Sequence, residues 1–205
     1  MLDWYKNEYF LRRLHSILAI FPLTIFMMEH LLVNFTALYG AATYNQTVAI
    51  LQSLPFLPFM EMVLIVIPLA FHALFGIYIV YLAKNNVLTY NYYRNWAFFL
   101  QRITAVITFV YVIYHVWALR IAHVIFDFDI NFETVGAHLA NPLVFWIYSI
   151  GIIASMYHFT NGLTTFLISW GITVGPHSQR TAMWIGNAVF VFLAFMGISV
   201  ILAFN

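Results

Sequence analysis

The stretch RRLHSILAIFPLTIFMMEHLLVN, residues 12–34, is apolar enough to cross a lipid bilayer, yet it carries Glu29 and His30 near its far end. About 20 helical residues span the hydrocarbon core of a bilayer. A titratable side chain at that depth is costly, and it usually faces a cofactor, a partner or a water-filled path. This segment therefore predicts a membrane-spanning helix with a functional group inside the membrane.

The composition of the whole chain extends this prediction. Of its 205 residues, 64% are hydrophobic and only 7% are charged, too few to cover a water-facing surface. We expect an all-α integral membrane protein, a single transmembrane domain over residues 1–205, whose first span is retained rather than cleaved as a signal peptide. The five predicted spans lie near residues 16–38, 60–83, 97–125, 142–170 and 182–204. The connections, among them YGAATYNQ and DFDINFETVG, have the residues expected of loops.

The cations of the chain collect on one side of the predicted membrane. That side has Lys6, Arg12, Arg13, Lys84, Arg94, Arg102 and Arg180, while the other has Arg120 alone. Because cytoplasmic ends retain Lys and Arg, we expect the N-terminus in the cytoplasm and the C-terminus outside. The cations are scattered singly and the net charge is +1, so no nucleic-acid partner is indicated and lipid is the main environment.

The absence of cysteine limits the chemistry. It excludes disulfides, thiol catalysis, thioether attachment of haem and cysteine ligation of iron–sulfur clusters within this chain.

Each of the first four predicted spans contains one histidine. They are His30, His72, His115 and His158. A single histidine in a membrane helix is often a hydrogen-bonded packing residue, but four of them, one per helix, favour a function. From the rise of about 1.5 Å per residue, His115 and His30 lie about 8 and 13 Å from the outer ends of their spans, and His72 and His158 about 17 and 24 Å. The count predicts an outer and an inner pair.

The two inner histidines share a local pattern. HALFG places Gly76 four residues after His72, and HFTNG places Gly162 four residues after His158. Residues i and i+4 share a helix face, so each glycine leaves room for a flat macrocycle beside the histidine. Alternatively, both glycines are ordinary small-residue helix contacts.

Two histidines at one depth on neighbouring helices suit the two faces of a haem. Haem b needs no covalent linkage, in agreement with the lack of cysteine. With both axial positions filled by imidazole, the iron has no vacant site for substrate, so electron transfer is the expected function. We predict two haems b, one held by His30 and His115 and the other by His72 and His158, each histidine being a ligand of haem iron.

Nearly the whole chain resembles a known family. The sequence strings that carry the likeness are FLRRLHS, HLLVN, HALFGIYI, AKNN, RNWAFFLQR, HVW, HFTNGL and WGITVGPHSQR. Together they closely resemble the dihaem cytochrome b anchor of bacterial succinate dehydrogenase, of the succinate:menaquinone type; related fumarate reductases share its architecture. The resemblance implies a multi-pass subunit of the bacterial cytoplasmic (inner) membrane, itself without flavin catalysis. It also implies a flavoprotein and an iron–sulfur subunit as partners and menaquinone as the acceptor.

The resemblance also implies site residues. The family's four axial histidines fall on His30, His72, His115 and His158 without a gap. Some relatives have a glutamate two residues before the fourth ligand, where this chain has Met156, so a proton path through that carboxylate is not expected.

Further polar residues near the predicted haems are candidates for other roles. Candidates for the haem propionates are His15 and Ser16 on the inner side, with Arg12, Arg13 and Arg180 near them, and Arg120 and His123 on the outer side. Positive-inside anchoring explains the arginines equally. Glu29 and Glu61 are candidates to border an outer menaquinone site, the alternative being that they cap or hydrogen-bond helix ends.

Two other functions fit the same residues. A transporter or proton channel without cofactor could use the histidines and glutamates as a relay. A haem b subunit of another membrane dehydrogenase, such as a hydrogenase or formate dehydrogenase, would keep the haems and change the soluble partners.

Overall fold

The computed structural model describes residues 4–204, so residues 1–3 and 205 of the predicted domain, and the side chain of Lys6, lie outside the described part. The seven helices of that part are α1 (Asn7–Tyr39, preceded by helical residues from Trp4), α2 (Ala41–Gln52), α3 (Leu57–Leu82), α4 (Tyr93–Phe126), α5 (Phe132–Leu139), α6 (Pro142–Ser169) and α7 (Pro176–Ala203). No strand occurs between residues 4 and 204. The all-α prediction is confirmed.

Five of these helices, α1, α3, α4, α6 and α7, are long and apolar enough to cross a membrane. Large apolar side chains such as Leu74, Val110 and Phe195 are more than 60% exposed along them. A water-soluble protein rarely exposes so much contiguous apolar surface, whereas lipid solvates it. The chain is therefore a multi-pass membrane protein with the five predicted spans.

The spans pack as an antiparallel bundle around α6. Helix α6 lies between α4 and α7, and α1 packs against α3 and α7. We name the end of the bundle at which α1 begins the inner end and the opposite end the outer end. Near the outer end, residues of α2, α5, α6 and α7 form a core that includes Tyr44, Leu139, Tyr148 and Phe204. The contacts among α1, α3, α4 and α6 bring the four histidine-bearing helices together.

Helices α4 and α7 begin earlier than hydropathy predicts. Helix α4 begins at Tyr93 rather than near residue 97, and α7 at Pro176 rather than near 182. The added turns are polar and belong to the inner end, and hydropathy detects only the part of a helix that lies in hydrocarbon. Pro176 suits the first turn of α7 because proline has no N–H to leave unpaired there.

Two outer connections expected to be loops contain helices instead. Gly40, at a φ of 96°, ends α1 and lets the chain restart as α2. Helix α5 begins with a capping box, in which the Asn131 side chain accepts from the Thr134 N–H and the Asn131 N–H donates to the Thr134 hydroxyl. The loop prediction was wrong here because short capped helices lack the length that marks a span.

Three of the spans are widened by π-helical turns. These are Ala19–Leu23 in α1, Met62–Val66 in α3 and Val116–Ile121 in α4. Pro22 lies in the first of them, and the Thr24 hydroxyl donates to the Ala19 carbonyl over 2.8 Å, which satisfies a carbonyl near the proline. Such turns are frequent at functional sites.

Candidate functional site: two facing histidine pairs

The structure brings the four intramembrane histidines together as two pairs. His72 on α3 faces His158 on α6, with ring centroids 6.2 Å apart and ring planes at 78°. His30 on α1 faces His115 on α4, with centroids 5.7 Å apart and planes at 76°. Within each pair the rings come from different helices and meet edge to face.

The pairs lie at two levels of the bundle. The ring of His15 on α1 stacks on His72, with centroids 4.0 Å apart, and His30 follows fifteen residues later on the same helix. At 1.5 Å per residue the two levels are about 22 Å apart along α1. Both levels fit within a hydrocarbon core of about 30 Å.

Backbone carbonyls orient both inner histidines. His72 Nδ1 lies 3.1 Å from the carbonyl oxygen of His15, and His158 Nδ1 lies 3.2 Å from that of Gln101. A carbonyl only accepts, so Nδ1 carries the proton in the tautomer that makes these two bonds. The other ring nitrogen, Nε2, is then deprotonated and is the one able to bind a metal.

An amide network that sequence patterns did not indicate reinforces the inner pair. The Gln101 side chain of α4 donates to the His158 carbonyl of α6 over 2.9 Å. The Asn161 amide in turn donates to Gln101 Oε1 over 2.7 Å and to the Ala97 carbonyl over 3.2 Å. In a low-dielectric interior such a satisfied network fixes its members. It holds α4 and α6 in register beside His158.

Three of the inner candidates for anionic groups, Arg12, Arg13 and Ser16, have protein partners, whereas His15 Nδ1 is buried without a hydrogen-bond partner among the described residues. Ser16 accepts a hydrogen bond from the indole of Trp170 over 3.1 Å. The Arg13 guanidinium lies 4.7 Å from the centre of a Trp170 ring, and Arg12 pairs with Glu8 at 2.6 Å. The contacts of Ser16 and Arg13 join the start of α1 to Trp170, the residue after α6.

Aromatic side chains surround the outer pair. The Tyr148 hydroxyl of α6 lies 3.3 Å from His115 Nδ1, and the Tyr111 ring stacks on His115, with centroids 5.6 Å apart. His30 contacts Asn34, whose amide donates to the His30 carbonyl over 2.8 Å. The His115 ring is thus oriented by side chains.

His138 joins this outer cluster from the connecting helix α5. Its ring stacks on Tyr114 at 6.0 Å and meets the edge of Tyr148 at 5.6 Å. Burial lowers the pKa of His138 below its ordinary value. No sequence pattern connects His138 with His115, because α5 was expected to be a loop.

The two candidate glutamates are in different surroundings. Glu61 pairs with Arg120 at 2.6 Å, linking α3 to α4 near the outer end. Glu29 Oε1 is buried and has no hydrogen-bond partner among residues 4–204. The other outer cation candidate, His123, contacts the Phe128 carbonyl through Nδ1. Glu61, Arg120 and His123 are therefore engaged within the protein. Of the two candidate glutamates, Glu29 is the one that has a buried carboxylate oxygen without a partner among the described residues.

The two glycines of the repeated pattern lie beside residues of the inner level. A Cβ at Gly76 would meet His15 Cε1 at 3.5 Å, an ordinary contact, and one at Gly162 would meet Gln101 Nε2 at 3.2 Å. Space for a side chain is thus more restricted at Gly162 than at Gly76.

The geometry of each pair is compatible with one iron between two imidazoles. A metal-bound imidazole nitrogen lies about 2 Å from the metal, so two rings on opposite faces have centroids about 6 Å apart. The observed 5.7 and 6.2 Å agree with this value. Two imidazoles occupy two opposite coordination positions, so each pair suits a metal whose remaining ligands come from a macrocycle.

Fold and site define a class: a multi-pass helical membrane protein with facing histidine pairs inside its bundle. Residues 83–195 match the family described as succinate dehydrogenase/fumarate reductase transmembrane subunit. The chain is 42% identical over 199 residues to the succinate dehydrogenase cytochrome b558 subunit of Bacillus subtilis (strain 168), covering 97% of this chain and 98% of that protein.

The chain therefore belongs to the succinate dehydrogenase/fumarate reductase transmembrane subunit family, as a membrane subunit of the cytochrome b type.

Proposed function

We propose that this chain is the membrane anchor of a succinate:menaquinone oxidoreductase and carries electrons from an iron–sulfur subunit through two b haems to menaquinone. Each haem is held between two histidines, His72 with His158 at the inner level and His30 with His115 at the outer level. The observation that carries this proposal is the presence of two facing imidazole pairs, 5.7 and 6.2 Å apart, in an apolar bundle.

The residues of the chain have separable tasks in this function. Haem b bound by two imidazoles supplies reversible one-electron transfer without an open coordination position. The backbone carbonyls of His15 and Gln101 accept hydrogen bonds from the Nδ1–H groups of the inner histidines, which would leave Nε2 of each ring free to bind a metal. The apolar helices exclude water from both levels. Gly76 and Gly162 give a macrocycle access to the backbone of α3 and α6.

The outer end is the better side for menaquinone. Succinate is a weak donor for this low-potential acceptor, and an electron moved from the negative to the positive side of the membrane gains about 2.3 kcal/mol per 100 mV over the full potential. Quinone reduction needs protons, and Glu29, next to His30, has a buried oxygen without a partner among the described residues. We assign proton delivery to Glu29 and a supporting position to Glu61, which Arg120 holds.

The inner end is the docking side for the soluble subunits. We propose that it faces the cytoplasm of a bacterium, with the N-terminus on that side and the flavoprotein bound through the iron–sulfur subunit. Arg94, His177 and Arg180 are exposed there, and Arg94 donates to Gln179 over 3.0 Å. The B. subtilis relative is named a subunit of succinate dehydrogenase, which supports these partners.

Purification of the intact membrane complex tests the proposal. We expect two low-spin b haems per chain that are reduced by succinate, together with copurifying flavin and iron–sulfur subunits. A colourless protein would contradict the proposal and favour a transporter, and haems with hydrogenase or formate dehydrogenase subunits would identify a different enzyme.

Sealed vesicles of known orientation test the position of the quinone site. We expect an uncoupler to slow electron transfer from succinate to menaquinone, and Glu29→Gln to slow it more than Glu61→Gln. Glu8→Gln is the matched control, since Glu8 is a carboxylate paired with Arg12 at the inner end. A forward rate that is insensitive to the uncoupler and to both outer substitutions would rule out the outer site.

A further inference from the structure

We propose that Tyr148 is a positioning residue of the outer haem: its hydroxyl oxygen accepts a hydrogen bond from the Nδ1–H of His115 and thereby sets the orientation and electron-donor strength of that ligand. This inference rests on the proposed function and assigns a role to a residue outside the histidine pairs. Its basis is the 3.3 Å separation between the Tyr148 hydroxyl and His115 Nδ1.

The position of the hydroxyl is fixed by packing. Tyr148 is 4% exposed and belongs to the outer core. Its ring meets the edges of the Tyr111 and Tyr114 rings at 5.4 and 6.2 Å. A tyrosine ring in such a core keeps one rotamer, and a buried tyrosine hydroxyl normally has a hydrogen-bond partner. The hydroxyl is therefore held at one site, beside His115.

The direction of the hydrogen bond follows from the role of His115. When Nε2 of a histidine binds iron, Nδ1 carries the proton and acts as a donor. The Tyr148 oxygen therefore accepts. The inner ligands His72 and His158 make the corresponding bond to backbone carbonyls. Of these three acceptors, Tyr148 is the only one that a side-chain substitution can remove.

Loss of this acceptor has an electronic consequence. A hydrogen bond from Nδ1–H makes the imidazole a stronger base and a stronger electron donor. A stronger donor stabilises ferric iron more than ferrous iron. Removing the hydroxyl is therefore expected to raise the midpoint potential of the outer haem and to change its low-spin spectrum, while the inner haem stays as it was.

The test compares Tyr148→Phe with Tyr111→Phe in the complete membrane complex. Both changes remove one hydroxyl from the same cluster, but Tyr111 contacts His115 through its ring. Redox titration followed by absorption and electron paramagnetic resonance resolves the two haems, and a His115→Ala sample identifies the outer one. We expect Tyr148→Phe alone to raise the potential of the outer haem and shift its g values. Loss of the outer haem from Tyr148→Phe alone would also support the proposal, because phenylalanine keeps the ring packing.

Three results would overturn the inference. They are an unchanged outer potential in Tyr148→Phe with both haems bound, an equal shift in both variants, and a lowered potential, which would make the hydroxyl a donor. In each of these the wild-type complex still contains two haems, so the proposed function stands. A wild-type complex without haem would instead refute the proposed function.

Discussion

The inner and outer histidine pairs are alike in geometry and differ in the groups that orient them. At the inner level, backbone carbonyls of α1 and α4 accept from His72 and His158. At the outer level, His115 depends on the Tyr148 hydroxyl, within a cluster of tyrosines. A carbonyl inside a helix cannot move without the helix, whereas a side chain can be exchanged. The backbone thus fixes the orientation of the inner histidines, whereas substitution of a side chain can change the orientation of His115.

The largest expected effect is the loss of one haem on substitution of a histidine, and it distinguishes the inner level from the outer level. His72→Ala or His158→Ala should remove only the inner haem, and His30→Ala or His115→Ala only the outer one, because each haem loses a strong ligand. Haem quantified per chain should fall from two to one, and spectra should show which haem remains. Retention of two haems in all four variants would show that the ligand assignment is incorrect.

Overpacking should damage the outer level selectively. A Cβ at Gly151 of α6 would overlap the Tyr111 ring, which stacks on His115. We expect Gly151→Ala to destabilise the protein by about 1–3 kcal/mol and to reduce outer haem content, measured by thermal unfolding and haem spectra. Gly186→Ala is the control, since its Cβ would meet Thr164 Oγ1 at 2.6 Å, away from both pairs. Equal losses of outer haem in the two variants would argue against a specific effect.

A smaller effect tests the space at Gly76. Protein contacts alone predict that Gly76→Ala is tolerated, because its Cβ would lie 3.5 Å from His15 Cε1. If a macrocycle lies against this glycine, the methyl group should lower inner haem content while the fold remains intact. Full inner haem in a stable Gly76→Ala protein would remove Gly76 from the site and leave it as a helix contact.

The smallest effect concerns pH at the outer level. Burial lowers the pKa of His138 below 6.5, so below that pH the unfolded chain binds a proton that the folded chain does not. The stability that His138 contributes is present above pH 6.5 and is lost as the pH falls. The groups facing it are Tyr114 and Tyr148, with His115 nearby.

Thermal midpoints between pH 8 and pH 5 measure this loss of stability. The wild type should lose more stability on acidification than His138→Gln, and the exposed His177→Gln should behave as the wild type. Identical profiles for all three proteins would show that His138 does not contribute.

Hydropathy predicted the five spans because lipid imposes a length and an apolar composition on each of them. It could not predict α2 and α5, which are not among the five candidate spans and are too short to give a clear periodic pattern. The sequence signal for α5 was its pair of capping residues, Asn131 and Thr134. The orientation, which rests on the positive-inside rule, stays a prediction.

Counting helical rise predicts pairs at two depths, because regular helices convert sequence position into depth. The rings of these pairs lie 5.7 and 6.2 Å apart, and their role as haem ligands stays a prediction. The same count places Tyr148 six residues after Pro142, or about 9 Å, close to the depth of His115. The depth of Tyr148 along its helix therefore indicated from the sequence that it lies at the level of His115. Gln101 could not be found this way, because its amide contact depends on how α4 rotates against α6.

The π-helical turn Met62–Val66 in α3 changes the angle between the side chains that precede it and those that follow it. In an uninterrupted α-helix, residues eleven positions apart, such as Glu61 and His72, point within about 20° of the same direction. Here Glu61 reaches Arg120 on α4, while His72 reaches His15 on α1 and His158 on α6. A π turn holds one residue more than an α turn and rotates the rest of the helix by about 100°. Deleting one residue there would leave a regular α-helix with the two side chains ten positions apart, about 80° apart in direction, so both contacts would be kept. Rotational phase therefore links the outer ion pair to the inner histidine level.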